Sequence, residues 1–97
     1  MKLLNIKDAL KLYGILAQHL PEADDSTIIL DYVDEIVKSI VESNQHRSYL
    51  DAVSLMSGIP IEELLDKPIP DVIEMFVDGL VTNNVPLLKQ FCEELGV

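Results

Sequence analysis

The sequence predicts an all-α fold: a small bundle of five or six helices joined by short connections. Three observations carry that expectation. Apolar residues recur at spacings of three and four almost throughout the chain. No Asn-Gly or Asp-Gly pair sits between alternating apolar and polar stretches, so nothing reads as a β-hairpin. Most of the prolines and glycines fall where one apolar pattern stops and another starts: Pro21, Gly58, Pro60, Pro68, Pro70, Pro86 and Gly96. With 97 residues, the chain buries roughly 65% of its unfolded surface and supports one modest core. A single helical domain over residues 1–97 is therefore expected.

The first helix begins after Asn5, whose side chain suits an N-cap, and Pro21 ends its pattern. Ile6, Leu10, Tyr13, Leu16 and Leu20 fall on one face. Gly14 costs this helix about 1 kcal/mol relative to Ala unless it permits close packing. Residues 21–25, Pro-Glu-Ala-Asp-Asp, connect to a second helix from about Ser26 to Ser43, and their acids suit its positive end. That helix carries a broad stripe of Ile29, Val33, Ile36 and Ile40, with Leu30, Val37 and Val41 beside it. Its β-branched content also permits a strand over residues 27–30, but the helical spacing persists for four turns. Residues 43–47 are a polar connection.

Ser48, with Asp51 three positions on, is a candidate cap for the third helix, which presents Tyr49, Leu50, Val53 and Met56 and stops at Gly58. A short helix follows over Pro60 to Leu65, with Glu62 and Glu63 in its first turn. Lys67-Pro68-Ile69-Pro70 reads as a stiff extended joint, because proline restrains the residue before it. The fifth helix starts at Pro70 or Asp71, with Val72, Met75, Phe76 and Leu80 on one face, and ends at Asn83-Asn84. A last helix spans Pro86 to Leu95 and stops at Gly96.

Charge limits the partners. Seven Lys and Arg stand against 17 Asp and Glu, for a net charge of −10. Binding nucleic acid requires clustered cations, and here the acids cluster instead, at residues 22–35 and 62–78. Such a surface repels nucleic acid and anionic lipid and steers basic partners. Residues 49–66 have the outline of a helix-turn-helix. The helix that would enter the groove holds Glu62, Glu63 and Asp66 and no Arg, so DNA binding is rejected. No apolar run approaches the roughly 20 residues that span a bilayer. The first residues lack an uninterrupted apolar core and a cleavage site, and are expected to belong to the fold. The single cysteine, Cys92, cannot form an intramolecular disulfide, which favours a reducing, cytoplasmic setting.

The sequence supplies little for catalysis. His19 and His46 lie in different segments, and a helix C-terminus explains His19 by its dipole. Cys92 lies beside Phe91 with no advertised base, as a small buried apolar residue would. The acids lack calcium-loop spacing, no Cys/His pair has zinc spacing, and the glycines form no phosphate loop, so no metal or cofactor is expected. One modification motif is present: Asp25-Ser26-Thr27-Ile28 resembles the Asp-Ser-Leu signature of acyl carrier proteins, where the serine carries a phosphopantetheine. An Asp-Ser pair before a helix is also an ordinary cap.

A broader resemblance runs through the C-terminal half. The helix ending in Ser57-Gly58 is followed by a short Ile61-Glu62-Glu63-Leu64 helix and a longer apolar helix to Leu80. An Asn83-Asn84 turn and a final short helix complete the series. This succession resembles the tail assembly chaperones of long-tailed bacteriophages and covers about half of the chain. The resemblance implies a non-catalytic factor that binds the tape measure protein and keeps it soluble until tail-tube subunits polymerise around it. It also implies a location in the cytoplasm of the infected host and absence from the finished virion. Coating a long client calls for many copies, so a homo-oligomer is expected. The candidate partner-binding residues are Met56, Ile59, Ile61, Leu64, Phe76 and Leu80, an apolar set on which a client helix could lie. Two other readings stay open: a carrier-like protein modified at Ser26, and a generic acidic adaptor or antitoxin-like protein masking a basic partner.

Overall fold

Asn5 caps the first helix, its side-chain oxygen accepting the Asp8 backbone N–H. From there a computed structural model describes residues 2–96. Among them are six α-helices and no strand: α1 (Ile6–Leu16), α2 (Ile29–Glu42), α3 (Arg47–Ser57), α4 (Ile61–Leu64), α5 (Ile69–Thr82) and α6 (Val85–Glu94). The all-α bundle expected from the spacing is the fold.

The principal packing contacts form a closed ring, α1 to α3 to α5 to α2 to α6 and back to α1, with α4 resting on α3. Each helix turns one stripe inward. Leu12 and Leu16 come from α1, Val33, Ile36 and Ile40 from α2, and Ala52, Val53 and Met56 from α3. Leu64 comes from α4, Phe76 and Leu80 from α5, and Val85, Leu88 and Cys92 from α6. These side chains make one contiguous core. Burying each large one favours folding by about 1.5–3 kcal/mol. The radius of gyration is 12.6 Å, close to the roughly 12.5 Å expected for a compact chain of this length.

Several local expectations are revised. The inward face of α1 is Leu12 and Leu16, with Leu10 and Tyr13 only half-buried, while Ile6 points out at the helix start. The α-helix stops at Leu16, and a single 3-10 turn at Ala17–His19 leads to the connection, so it does not run on to Pro21. Gly14 has nothing within 4 Å of where a Cβ would stand, so it serves no close packing.

α2 begins at Ile29 rather than Ser26, because Asp24 organises the residues before it into a turn of their own. The Asp24 carboxylate accepts from both the backbone N–H and the hydroxyl of Ser26, at 2.9 and 2.8 Å. The Asp24 N–H in turn donates to Thr27 Oγ1. Those bonds compete with helix for the same groups. Similarly, Ser48 lies inside α3 instead of capping it, and Asp51 pairs with Arg47 at 3.3 Å.

The joint expected at residues 67–70 becomes the start of α5. Pro68 is its extended N-cap residue, and Ile69 and Pro70 are already helical. Proline fits there because the first turn has no intrahelical partner for the missing N–H. Gly58 and Gly96 end their helices at φ +77°, a conformation that favours glycine. Asn83 ends α5 and ties down the opposite end of the chain: its side-chain oxygen accepts the Leu4 N–H at 2.8 Å.

Candidate functional site

Between α2, α3, α4 and α5 the surface opens into an apolar groove of about 470 Å³. Four elements build it. α2 contributes Val37 and Val41, α3 contributes Tyr49 and Leu50, α4 with the residues after it contributes Leu64, Leu65 and Lys67, and α5 contributes Ile69, Val72 and Ile73. His46, just before α3, completes the lining.

The floor is fixed from below. Tyr49 is buried and meets Phe76 edge-on, with ring centroids 5.0 Å apart. Its hydroxyl donates to the Val37 carbonyl at 3.3 Å, anchoring α3 to α2 across the groove. Burial pushes the Tyr49 phenol above its ordinary pKa, so it remains a donor. His46 stacks on the outer face of Tyr49 at 6.0 Å.

The walls are different. Val41, Leu65 and Ile69 are 53%, 66% and 77% exposed. Their placement follows from local structure. Leu64 is the last residue of α4 and Leu65 the helical C-cap after it, and adjacent residues of helical backbone cannot turn to the same side. Leu64 enters the core and Leu65 points out. Ile69 is held between two prolines at the first turn of α5, before that helix reaches the core at Val72. An apolar concavity with exposed apolar walls is the usual form of a protein or ligand contact surface.

Of the six residues singled out from sequence, the structure brings one, Leu64, into the groove lining. Met56, Phe76 and Leu80 are fully buried in the core. Ile59 and Ile61 are half-buried near the turn that joins α3 to α4 and do not line the groove. The residues missed are Val37, Val41, Leu50, Leu65, Ile69 and Ile73. The legible signals were the adjacent leucines at the end of α4 and the isoleucine trapped between prolines. Each is an apolar residue at a place where its neighbours already satisfy the core.

The other chemistry-bearing residues are spread out. His19 is buried, with Nδ1 2.8 Å from Ser39 Oγ and Nε2 3.1 Å from Gln45 Oε1. Cys92 is in the core, where burial raises its thiol pKa and keeps it protonated. Ser26 is exposed, three residues ahead of α2, with its hydroxyl donating to Asp24. Among the described residues no group of three or more His, Cys, Asp or Glu could hold a metal ion. None of the described helices is long and apolar enough to cross a membrane. Comparison of the chain with protein families, curated proteins and solved structures finds no match.

Proposed function

We propose that this chain is a non-catalytic chaperone that seats an apolar helix of a client protein in the groove between α2, α3 and α5. Following the resemblance of its C-terminal half, the client is the tape measure protein of a long-tailed phage, bound in the host cytoplasm during tail assembly. The observation that supports the reading is the groove itself: an apolar concavity whose walls, Val41, Leu65 and Ile69, stay largely in water. Leaving such surface exposed sacrifices burial that the monomer could have used. A client helix with apolar residues at three-and-four spacing would recover it.

A tape measure chain is long and helical, and its apolar stripe aggregates when naked. Covering that stripe piece by piece requires many copies of a small adaptor. The exposed strip of Leu87 and Phe91 on α6, continued by Leu95 just after it, offers an apolar surface for neighbouring copies. The net charge of −10 keeps coated complexes apart.

The test is co-expression with the tape measure protein encoded in the same genome. The long protein is expected to be soluble only with this chain, to co-elute with several copies of it, and to lose both properties with Leu65→Asp/Ile69→Asp. An insoluble, unbound long protein in the presence of the native chain overturns the reading.

A further inference from the structure

We propose that the helix received by this groove carries a carboxylate beside its apolar stripe, placed over Lys67, so that the recognition segment is apolar and acidic rather than basic. The proposal rests on the helix-in-groove reading above and names the chemistry of its partner. It runs against the overall charge. Seventeen acids and seven bases would by themselves steer a basic segment to this protein.

The groove does not share that bias. Its lining contains no carboxylate, and its one Lys or Arg is Lys67, with His46 and Tyr49 the other titratable side chains. Three other cations are already engaged: Lys11 with Asp8, Arg47 with Asp51, and Lys89 with Glu93. Lys67 makes no ion pair among the described residues. It stands in sequence between Leu65 and Ile69, the two most exposed walls, on the lip that the groove shares with a neighbouring depression.

A bound apolar helix removes water from that lip. A lysine on the helix would then face the Lys67 ammonium at reduced screening, whereas a glutamate would gain a charge-assisted hydrogen bond. On its other side Lys67 borders a depression lined by Asp71, Glu74 and Asp78. Basic residues of the partner are therefore accommodated only beyond the groove, past Lys67. The local order is apolar groove, cation, acidic depression. It fixes the direction in which an asymmetric helix can lie.

Two synthetic 18-residue helical peptides test this. Both carry the same leucine stripe on a neutral glutamine face. One has a pair of glutamates beside the stripe and the other a pair of lysines. Fluorescence anisotropy against the full chain is expected to show the glutamate peptide binding roughly fivefold tighter at low salt, with the gap closing as salt rises. Lys67→Glu, at an exposed position, should reverse the order, and Leu65→Ser/Ile69→Ser should abolish binding of both peptides. Equal or tighter binding of the lysine peptide overturns the charge assignment and leaves the groove reading standing. If neither peptide binds, or if binding survives Leu65→Ser/Ile69→Ser, the helix-in-groove reading falls and this inference falls with it.

Discussion

The last two turns of α2 present two flanks finished in opposite ways. On one flank Ser39 meets a buried histidine, His19, whose second ring nitrogen is held by Gln45. On the other, Val37 and Val41 face the groove, and Val41 is 53% exposed. Between them Ile36 and Ile40 enter the core. One flank buries polar atoms and the other exposes apolar ones, so both depart from the simple rule of apolar inside and polar outside. The departures differ in kind. No buried side-chain nitrogen or oxygen among the described residues lacks a hydrogen-bond partner, so the polar flank is complete within the monomer. The apolar flank leaves Val41 more than half in water. A polar group can be satisfied locally by two or three neighbours, whereas an exposed apolar wall can be satisfied only by more surface.

The substitution that should break the comparison outright is Phe76→Ala. Phe76 is fully buried and supports Tyr49, the floor of the groove. Truncating it should cost about 3–5 kcal/mol. The midpoint of urea unfolding should fall well below that of the native chain, and peptide binding should weaken with it. A small loss of stability would mean that the core beneath the groove is loosely packed, and the contrast between a closed body and an open groove would fail.

His19→Ala probes the polar flank alone and should cost about 1–3 kcal/mol, because Ser39 and Gln45 lose a partner on the 3-10 turn that feeds the connection to α2. Groove binding should be unchanged in the fraction that remains folded. Loss of binding without loss of stability would show that the two flanks are coupled through α2.

A gentler probe is alkaline pH. Tyr32 donates its hydroxyl to the Pro21 carbonyl at 2.6 Å, tying the acidic connection to α2. Burial first, and then the charges of Glu93, Glu22 and Glu35, raise its pKa well above the ordinary tyrosine value. The native state therefore keeps a proton that the unfolded chain loses above about pH 10. The stability contributed by the neutral phenol is fully present below that pH and is lost as pH rises toward the folded-state pKa. Urea midpoints measured on either side of pH 10 should show this decline, and Tyr32→Phe should reduce it.

These contrasts also mark what could be read from the chain. Helix existence was legible, because six apolar patterns with proline and glycine at their ends leave little else possible. Boundaries failed where a side chain offered the backbone another partner, as Asp24 does ahead of α2. They also failed by a residue or two at the start of α5, where an extended joint was expected over residues 67–70 and Ile69 and Pro70 are already helical. The inward face of α1 was misassigned because its apolar residues cover more than one side, and only α3 and α6 decide which side is buried. The site was the least legible part. Met56, Phe76 and Leu80 attracted notice as large apolar residues, and large apolar residues are what a small core takes first. The walls of the groove are made from what the core left over, and being left over is a property of the packed ring, not of any residue in it.

The smallest expected change in stability carries the most information about function. Leu65 and Ile69 are 66% and 77% exposed, so most of each side chain already lies in water in the folded state. Replacing either with serine should move stability by no more than about 0.5 kcal/mol, the usual range for surface positions. The same replacements should weaken a bound apolar helix by tenfold or more, because complex formation is the step that takes those walls out of water. A residue that matters to the fold shows its effect in the urea midpoint, and one that matters to a partner shows it only in binding. If Leu65→Ser or Ile69→Ser instead lowered stability by several kcal/mol, these side chains would be packed in solution, the groove would be closed, and the two flanks of α2 would differ only in polarity. If stability holds and binding falls, the open flank is the working surface of the molecule, and its exposure in the monomer is the cost of keeping it available.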